Sequence, residues 1–328
     1  MASETLKPIE IGLNAAIVAV EGDTPLILAV KAAGDGGARD LFGLPFGPFD
    51  PVTHRTLDMG LRAWVEEQTA LKLGYVEQLY TFGDRGRHAL PGDMGPHIVS
   101  VGYLALTRVT QQSSAALARA GAEWRDWYGF FPWEDWREGR PAILDDVILP
   151  ALRRFVRSRA GSARAGQSPA ERMRLAFGDD GRSWDEERVL ERYELLYSAA
   201  LVSEARRDGR SAPDRAPILP GMPMRFDHRR ILATAISRLR GKLKYRPVVF
   251  ELMPPEFTLT ELQSTVEAIS GRHLHKQNFR RLVEGNALVE PTGASTLRTG
   301  GRPAALFRFR RDVVRERPAP GLRLGGRA

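Results

Sequence analysis

The hydrophobic pattern is most regular near the end of the chain, where it predicts two helices followed by two short strands. The first helix carries four aliphatic residues spaced three or four positions apart: Leu259, Leu262, Val266 and Ile269. Thr258 can cap the start of this helix, and Gly271 can end it. Two alternating runs after Gly285, at Ala287–Glu290 and Ala304–Phe309, predict a hairpin. Helix, turn, helix and hairpin in this order are typical of a winged helix-turn-helix.

The second helix, predicted over Leu274–Val283, has two unlike faces. A rotation of 100° per residue places Phe279, Leu282 and Val283 on one face. Long polar side chains fall on the opposite face or at its edge: Gln277, Asn278, Arg280 and Arg281. Such a helix can present hydrogen-bond donors to base edges in a DNA major groove, although a solvated basic face on a small helical unit fits the same pattern. Phosphate or minor-groove contacts are expected from Lys276, Arg298 and Arg302.

The rest of the chain predicts a mixed domain, a helical insertion and one long helix. The predicted elements are strands at 11–20, 25–31, 76–82 and 98–107, with helices at 56–73, 143–156, 183–205 and 228–244. A turn is expected at Gly22–Asp23, and Ser183 with Glu186 forms a capping-box pattern. The tryptophan-rich segment 124–136 is expected to pack in the core or an interface, although one ring could stack on an adenine. The expected units are 1–157, an insertion with linkers at 158–224, the winged helix at 225–316 and a disordered tail at 317–328, with a mobile loop at 158–169 and a Pro/Gly-rich linker near 208–223.

Composition restricts the classes of site and location. The 328 residues include no cysteine, which excludes disulfides and thiolate metal sites and fits a reducing cytoplasm. The first residues lack a signal-peptide pattern, and no apolar run reaches the roughly 18 residues that span a bilayer. We therefore expect a soluble cytoplasmic protein with no membrane partner.

Positive charge is concentrated at one end of the chain. Residues 221–328 contain 21 Lys and Arg against 9 Asp and Glu, a net charge of +12. The remaining 220 residues contain 27 against 31, a net charge of −4. Local positive charge of this size favours a polyanion through counterion release, so the winged-helix end is expected to bind DNA.

The segment from Gly47 to Leu71 resembles a degenerate Nudix box. In that family a glycine is followed six residues later by a glutamate, and then by the run Arg-Glu-apolar-x-Glu-Glu-x-Gly. Arg62, Glu66 and Glu67 match this run, whereas Ala63 and Thr69 replace a glutamate and a glycine. The upstream glutamate aligns near His54, with the glycine at Pro48 unless one residue is inserted after Gly47.

The replacement at Ala63 removes a carboxylate that would share a helical face with Glu67. Active Nudix enzymes use such a cluster to hold Mg²⁺, which needs several oxygen ligands while it bridges a diphosphate. Glu66 and Glu67 could still hold a metal or could form a solvated helix face. The resemblance implies a pocket that senses a nucleotide without hydrolysing it, with no catalytic residue and no metal site.

The two halves together resemble the NrtR-type Nudix-related transcriptional regulators. The resemblance rests on FDHRRILATAISRLRGKLKYRP, FTLTELQSTVEAISGRHLHKQNFRR and GGRPAALFRF after a Nudix-like domain, and it covers about residues 10–150 and 225–310. It implies an α+β chain with a Nudix-like α/β/α sandwich, a helical insertion and a C-terminal winged helix-turn-helix. The degenerate box and the stretch near 150–220 make the chain more similar to NadQ-type regulators of NAD synthesis. The implied function is a homodimeric repressor that binds a palindromic double-stranded operator and responds to NAD, ADP-ribose or ATP, with no cofactor required.

The resemblance also implies ligand contacts. Arg62, Glu66 and Glu67 belong to the box, and Arg85 and Arg87 match the run before a pocket strand. The two loop arginines could bind a diphosphate through bidentate hydrogen bonds, or could be solvated.

Three further residues near this strand have open or ordinary roles. Tyr103 could line the ligand pocket or face the core of the protein. His88 and His97 lack metal-ligand spacing and are interpreted as ordinary loop histidines.

Two other functions remain open from the residues. A Mg²⁺-dependent hydrolase of nucleoside diphosphate derivatives with an accessory basic domain would lose activity in Glu67→Gln. An RNA-binding adaptor fits less well, because no aromatic-bearing RNP-like strand accompanies the basic helix.

Overall fold

A computed structural model of the protein describes residues 8–31, 41–84, 95–159, 167–178, 183–211, 219–297, 303–316 and 321–322. The strands are β1 (Ile9–Glu21), β2 (Thr24–Lys31), β3 (Phe42–Gly43), β4 (Phe46–Pro48), β5 (Tyr75–Phe82), β6 (His97–Leu106), β7 (Ala122–Asp126), β8 (Val289–Thr296) and β9 (Ala304–Phe309). The helices are α1 (Leu57–Thr69), α2 (Gln111–Arg119), α3 (Leu149–Ser158), α4 (Pro169–Phe177), α5 (Val189–Ser198), α6 (Ser203–Arg207), α7 (His228–Leu243), α8 (Leu259–Ser270), α9 (Lys276–Gly285) and α10 (Val313–Glu316). No helix among these residues is long and apolar enough to cross a membrane.

The N-terminal half is built on one mixed sheet around β1. Strand β6 pairs with β1 in parallel from Ile9 to Val18. The other edge of β1 pairs first with β4 and then with β2, both antiparallel, and β5 closes the far edge beside β6. The turn at Gly22–Asp23 has the predicted position, with Gly22 at φ +63°, a left-handed conformation that favours glycine.

The two faces of β1 belong to different parts of the core. Leu13, Ala15 and Ile17 pack with Leu61 and Val65 of α1 on one face. The alternate residues of β1 join a second cluster that continues through the insertion and α7 into α8 and α9, and includes Ala16, Val18, Ile231, Ile236, Val266, Ile269, Phe279 and Val283. The sheet therefore lies between helical layers, as an α/β/α sandwich requires. The predicted α+β class is confirmed, with the insertion and winged helix packed into a core continuous with the sheet.

Several predicted boundaries are wrong for local reasons. Helix α1 ends at Thr69 instead of 73, because Ala70 takes a left-handed conformation and its N–H donates to the Glu66 carbonyl. The helix predicted over 143–156 is a π-helix from Leu144 to Ile148 that continues into α3. Helix α9 starts and ends two residues later than predicted, and β8 runs from Val289 to Thr296 instead of 287–290.

The insertion departs furthest from the sequence prediction. The single helix predicted over 183–205 is split into α5 and α6, and Ala200 between them has φ +54°. Ser183 caps no helix, and Glu186 instead forms ion pairs with Lys244 at 3.2 Å and Arg272 at 3.1 Å. Elements that the sequence did not predict are β3, β4, β7, α2, α4 and α10. Within the tail expected to be disordered, Leu322 is buried and its N–H donates to the Leu243 carbonyl at 2.7 Å.

Helix α7 crosses the core between the two halves of the chain. Its predicted inward residues are all buried: Ile231, Leu232, Ala235, Ile236, Leu239 and Leu243. Two arginines of the same helix, Arg229 and Arg240, are also buried. Arg229 pairs with Glu204 at 3.3 Å and donates to the Phe130 carbonyl. The helix is therefore fixed by charged contacts at both ends as well as by apolar packing.

One buried carboxylate joins four parts of the chain. Glu134 accepts two hydrogen bonds from Arg192 of α5, at 2.6 and 2.7 Å, and one from Arg240 of α7 at 2.9 Å. Arg240 also donates to the Ile269 carbonyl at 2.9 Å, near the end of α8, and to the Tyr128 hydroxyl at 3.2 Å. The segment 127–136, the insertion, α7 and α8 therefore meet at this carboxylate.

Gly271, which ends α8, lies against the same cluster. Its φ is +70°, and a Cβ there would lie 2.5 Å from the Glu134 carbonyl oxygen and 2.8 Å from the Tyr128 hydroxyl. The Gly271 carbonyl accepts a hydrogen bond of 2.8 Å from the Trp136 N–H. The helix-turn-helix is thus attached at its turn to the tryptophan-rich segment.

We expect Glu134→Gln to destabilise the protein by about 3–5 kcal/mol, because two buried guanidinium groups lose their carboxylate. The control is Asp145→Asn, which removes an exposed pair with Arg140 and should cost at most about 1 kcal/mol. Urea unfolding followed by tryptophan fluorescence measures both. Equal, small losses of unfolding free energy would contradict the buried role of Glu134.

Gly271→Ala and Gly22→Ala form a matched pair, because both glycines have positive φ but only Gly271 is crowded. The left-handed backbone should cost each variant about 1–2 kcal/mol. Overlap with the Glu134 carbonyl should add about 1–3 kcal/mol for Gly271→Ala alone. Thermal unfolding of the two variants side by side tests this difference, and identical melting temperatures would refute it.

Candidate nucleic-acid interface and nucleotide pocket

Helix α8 begins and ends where the sequence predicted. Thr258 accepts a hydrogen bond from the Glu261 N–H at 3.1 Å, and the Glu261 carboxylate accepts one from the Thr258 N–H at 2.6 Å, which completes a capping box. Gly271 supplies the left-handed end of the helix. These local signals fix the length of α8 and therefore the point at which α9 starts.

The turn between α8 and α9 is held by side chains of α8. Glu267 accepts a hydrogen bond of 2.7 Å from the Leu274 N–H, and Gln263 donates to the Leu274 carbonyl at 2.8 Å. Gln263 also donates to Glu267 at 2.9 Å. Both backbone groups of Leu274 are therefore satisfied, which fixes the angle at which α9 leaves the turn.

Helix α9 presents the predicted faces. Phe279 and Val283 are buried in the core and Leu282 is half-buried. The polar residues predicted to contact DNA are all exposed: Lys276, Gln277, Asn278, Arg280 and Arg281. The contact between Arg281 and the Asn278 side chain is long, at 3.5 Å. Within the described residues Lys276, Gln277 and Arg280 have no side-chain partner, so these donors are available to a ligand.

The hairpin of β8 and β9 packs beside α8 and has the position of a wing. Phe257 and Phe307 exchange two backbone hydrogen bonds, at 2.9 and 2.8 Å, which join the start of α8 to β9. The Phe309 ring stacks on Phe250 with centroids 4.2 Å apart. Arg298 and Arg302 lie outside the described residues, in the segment 298–302 that connects the two strands.

In the N-terminal half, Arg62 holds α1 to the following turn. It donates to Asp58 at 2.8 Å and to the Leu73 carbonyl at 2.6 Å. The box glutamates face solvent: the side chain of Glu66 is 55% exposed, with Lys72 at 3.7 Å, and Glu67 is exposed. No group of three His, Asp or Glu residues in the described ranges could hold a metal ion.

Gly47 lies where α1 approaches β4. The Trp64 ring of α1 lies on this residue and leaves no room for a Cβ. The Trp64 indole N–H also donates to the Pro48 carbonyl at 2.7 Å. The close approach of α1 to β4 therefore requires glycine at 47, which favours the alignment with one residue inserted after it.

Tyr103 lies on the α1 side of the sheet and is only 3% exposed. Its hydroxyl is 3.4 Å from the Gln78 side chain on β5. Burial raises the pKa of Tyr103, and the nearby Asp58 carboxylate raises it further. The hydroxyl therefore stays protonated at neutral pH and donates to the Gln78 side chain, while the ring packs in the cluster that contains Leu61 and Val65. Arg85, Arg87 and His88 lie outside the described residues.

The tryptophan-rich segment 124–136 serves mainly as core. Trp127 and Trp133 are buried, and Trp133 packs edge-on against Phe131. Trp136 stacks on Trp184 with ring centroids 4.5 Å apart.

His97 lies at the start of β6, and its Nε2 atom is 3.2 Å from the Gly83 carbonyl oxygen.

Sequence reasoning missed Asp58 and Gln78 beside Tyr103, and Gln263 and Glu267 at the turn. The spacing of Asp58 and Arg62, four residues apart on one helix, is a signal that could have found that pair. No local pattern marks Gln78, because its position opposite Tyr103 comes from the pairing of β5 with β6.

Comparison with known proteins gives a family match in the C-terminal part. Residues 249–309 match the model of the NrtR DNA-binding winged helix domain. The chain is also 44% identical over 88 residues to the ADPR responsive transcriptional repressor NtrR of Acinetobacter baylyi. That match covers 27% of this chain and 35% of the relative, so it spans about a third of the relative's length.

Solved structures give a match over almost the whole chain. NrtR of Shewanella oneidensis in complex with a 27mer DNA has a TM-score of 0.54 and 21% identity, over 93% of this chain and 95% of that chain. A MutT/nudix family protein of Enterococcus faecalis has a TM-score of 0.50 and 14% identity, over 94% and 89%. Residues 249–309 thus match the NrtR winged helix domain, the chain shares the overall fold of NrtR, and the predicted resemblance to NrtR-type regulators is confirmed.

Proposed function

We propose that this protein is a DNA-binding transcriptional repressor of NAD metabolism genes, controlled by an adenine nucleotide bound to its Nudix-like domain. The observation that carries this proposal is α9: five polar side chains face solvent on a helix fixed at both its turn and its buried face. This helix belongs to a segment that matches an NrtR DNA-binding winged helix domain. Such a protein acts in the cytoplasm.

Gln277, Asn278, Arg280 and Arg281 are the residues we assign to base edges in the major groove. Arginine can bind guanine through two hydrogen bonds, and asparagine or glutamine can bind adenine in the same way. Lys276, Arg298 and Arg302 are assigned to phosphate or minor-groove contacts. The net charge of +12 over residues 221–328 supports this assignment through counterion release.

The operator we propose is palindromic and is bound by a homodimer. Two copies of α9 related by a two-fold axis would read half-sites about one helical turn apart. The units of each subunit are the Nudix-like domain at 1–157, the insertion at 158–224, the winged helix at 225–316 and the tail at 317–328.

ADP-ribose is the first candidate effector, because the relative from Acinetobacter baylyi is described as ADPR responsive. NAD and ATP share its adenosine diphosphate part and remain candidates. Tyr103, Arg85 and Arg87 would contact the ligand, beside the box residues Arg62, Glu66 and Glu67. Ala63 leaves the box without its full carboxylate cluster, which supports sensing without hydrolysis and without a required cofactor.

Strand β5 offers a route from this pocket to α7. Gln78 faces Tyr103, while the neighbouring Glu77 pairs with Lys242 and Arg238 of α7. A ligand that moves β5 would therefore act directly on the helix that carries Arg240 and, through it, the end of α8. For such a signal the ligand must bind two dimer arrangements with different affinity.

Arg281→Ala tests the assignment of α9. The wild-type protein first selects its preferred site from a random-sequence duplex pool, and fluorescence anisotropy then measures affinity for that site and its single-base variants. If Arg281 reads a base, the variant should lose roughly 1–3 kcal/mol and tolerate any base at one position. Arg308→Ala, on the exposed face of β9, is the control and should keep the base preference. An equal loss on all sequences would make Arg281 a phosphate contact, and a wild-type protein that selects no site would refute the function.

Effector control is tested by titrating ADP-ribose, NAD and ATP separately into the preformed protein–DNA complex. At least one of them should change operator affinity by about 5–150-fold, the range of typical coupling free energies. Chromatography of the nucleotide afterwards should recover it intact. Tyr103→Phe is the matched variant and should weaken the response without changing affinity in the absence of nucleotide. An operator affinity that none of the three nucleotides changes would contradict an effector role.

A further inference from the structure

A second basic surface lies on α3 and α4, where the Nudix-like unit at 1–157 meets the insertion at 158–224. Residues 149–159 contain four arginines and no acidic residue, and residues 167–178 contain two arginines and one glutamate, so the two segments carry a net charge of +5. Four of these arginines are exposed on α3 and α4, and we name them the insertion ridge: Arg153, Arg154, Arg157 and Arg174. The winged-helix function does not by itself account for this charge.

The arginines of α7 are bound in a different way from those of the insertion ridge. Each of the four on α7 has a carboxylate partner, and the pairs are Arg229 with Glu204, Arg230 with Glu194, Arg238 with Glu77, and Arg240 with Glu134. Arg154, Arg157 and Arg174 make no ion pair within the described part of the chain. Charge on α7 therefore serves the fold, whereas these three charges are left to solvent or to a partner.

Helix stability does not explain the ridge. Arg153 and Arg157 lie four residues apart on one face, where like charges destabilise a helix by about 0.2–0.5 kcal/mol. The helix dipole favours a cation in the last turn, which applies to Arg157 but not to Arg153 or Arg154. A polyanionic partner would offset this repulsion.

The opposite face of α3 is buried in the core. Leu149, Leu152 and Phe155 are buried in the core that contains α5 and α7. The apolar side of this amphipathic helix is therefore unavailable to a lipid bilayer, although basic amphipathic helices often bind membranes. The ridge presents guanidinium groups from helices held in the core, and guanidinium groups bind phosphate oxygens well.

A chain of contacts connects the elements next to the ridge with the helix-turn-helix. Asp145, in the π-helix that continues into α3, pairs with Arg140 at 2.7 Å, and Arg140 lies over the Trp136 ring at 5.4 Å. The Trp136 N–H donates to the Gly271 carbonyl in the turn. At the end of α4, Phe177 contacts Trp184, which stacks on Trp136. The ridge is thus fixed to the turn that places α9.

We propose that the insertion ridge binds the phosphate backbone of duplex DNA outside the site that α9 reads. The proposal rests on the proposed DNA-binding function and assigns α3 and α4 a part in it. Each phosphate that a protein neutralises adds about 0.9 to the slope of log affinity against log salt. The ridge should therefore affect salt dependence on long duplexes and leave base preference unchanged.

The test uses two duplexes, each with the selected site at its centre. The short duplex covers the site alone, and the long duplex is about 30 base pairs longer. Fluorescence anisotropy at several KCl concentrations gives the affinity and the salt slope. The ridge variant is Arg153→Gln with Arg154→Gln and Arg157→Gln. The control, Lys31→Gln with Arg108→Gln and Arg119→Gln, removes three exposed charges from the N-terminal half. Thermal unfolding verifies that both variants are folded.

On the long duplex the ridge variant should lower the salt slope by about 2–3 and bind at least roughly tenfold more weakly at low salt, whereas the control variant should match the wild type. On the short duplex all three proteins should bind alike. The proposal is refuted if the ridge variant equals the wild type on both duplexes, or if the control variant loses as much. A ridge variant that instead loses binding only to phosphatidylserine vesicles would also refute it. If the wild type binds the selected site, each of these outcomes refutes the ridge proposal and leaves the proposed function intact. If the wild type binds no duplex, the ridge proposal and the proposed function are both refuted.

Discussion

The arrangement of the molecule depends on one buried carboxylate. Glu134 is surrounded by Arg192 and Arg240, both fully buried, and two guanidinium groups need that negative charge because the surrounding carbonyls alone cannot neutralise them. The remaining donors of Arg192 and Arg240 bond backbone carbonyls at Ala176, Asp185, Glu186 and Ile269. A single charge cluster therefore fixes where α4, α5, α7 and α8 meet. Hydrophobic packing alone would allow these helices to slide past one another, whereas directional hydrogen bonds to a charged group hold them in one position.

This constraint determines how a signal can pass through the molecule. A winged helix on a flexible tether could swing independently, but here the turn of the helix-turn-helix is bonded to Trp136 and lies against Tyr128 and Glu134. Movement of the end of α8 and this turn would break the hydrogen bond from the buried Arg240 to the Ile269 carbonyl and the one from the Trp136 N–H to the Gly271 carbonyl. In the proposed homodimer, a nucleotide signal would therefore change how two rigid subunits face each other. The edge strand β5 can start such a change, because Glu77 binds Lys242 at the surface end of α7. Burial raises the pKa of Glu77, but the hydrogen bonds from Lys242 and Tyr75 and the charges of Lys242 and Arg238 together outweigh it and lower the pKa below its ordinary value, so the pair stays charged near neutral pH.

Elements that depend on local signals could be predicted from the sequence, and those that depend on distant partners could not. Helix α8 has its cap, its periodicity and its glycine in one stretch of 14 residues, and both ends were predicted. Strands β3 and β4 are only two and three residues long and exist because β2 and β1 offer an edge to pair with. Ser183 and Glu186 have the spacing of a capping box, but Glu186 instead forms ion pairs with Lys244 and Arg272, which are distant in the chain.

The same distinction between local signals and distant partners applies to the candidate sites. The exposed face of α9 could be predicted because helical period alone decides it. Arg62 could not be interpreted from its motif, because its donors go to carbonyls at Leu73 and Gly74 that only the fold brings near. The burial of Arg192 and Arg240 could not be predicted, because each depends on a carboxylate more than 50 positions away in the chain.

The net charge of a sequence segment does not show where its charged side chains lie on the folded protein. Residues 1–220 have a net charge of −4, which by itself suggests no affinity for DNA. Helices α3 and α4 with their flanking residues contribute +5, so the rest of that half has a net charge of −9. At physiological salt a charge is screened beyond about 8 Å, so a phosphate responds to the nearest guanidinium groups and not to the total. A half of the chain that is acidic overall can therefore still carry a surface that attracts DNA.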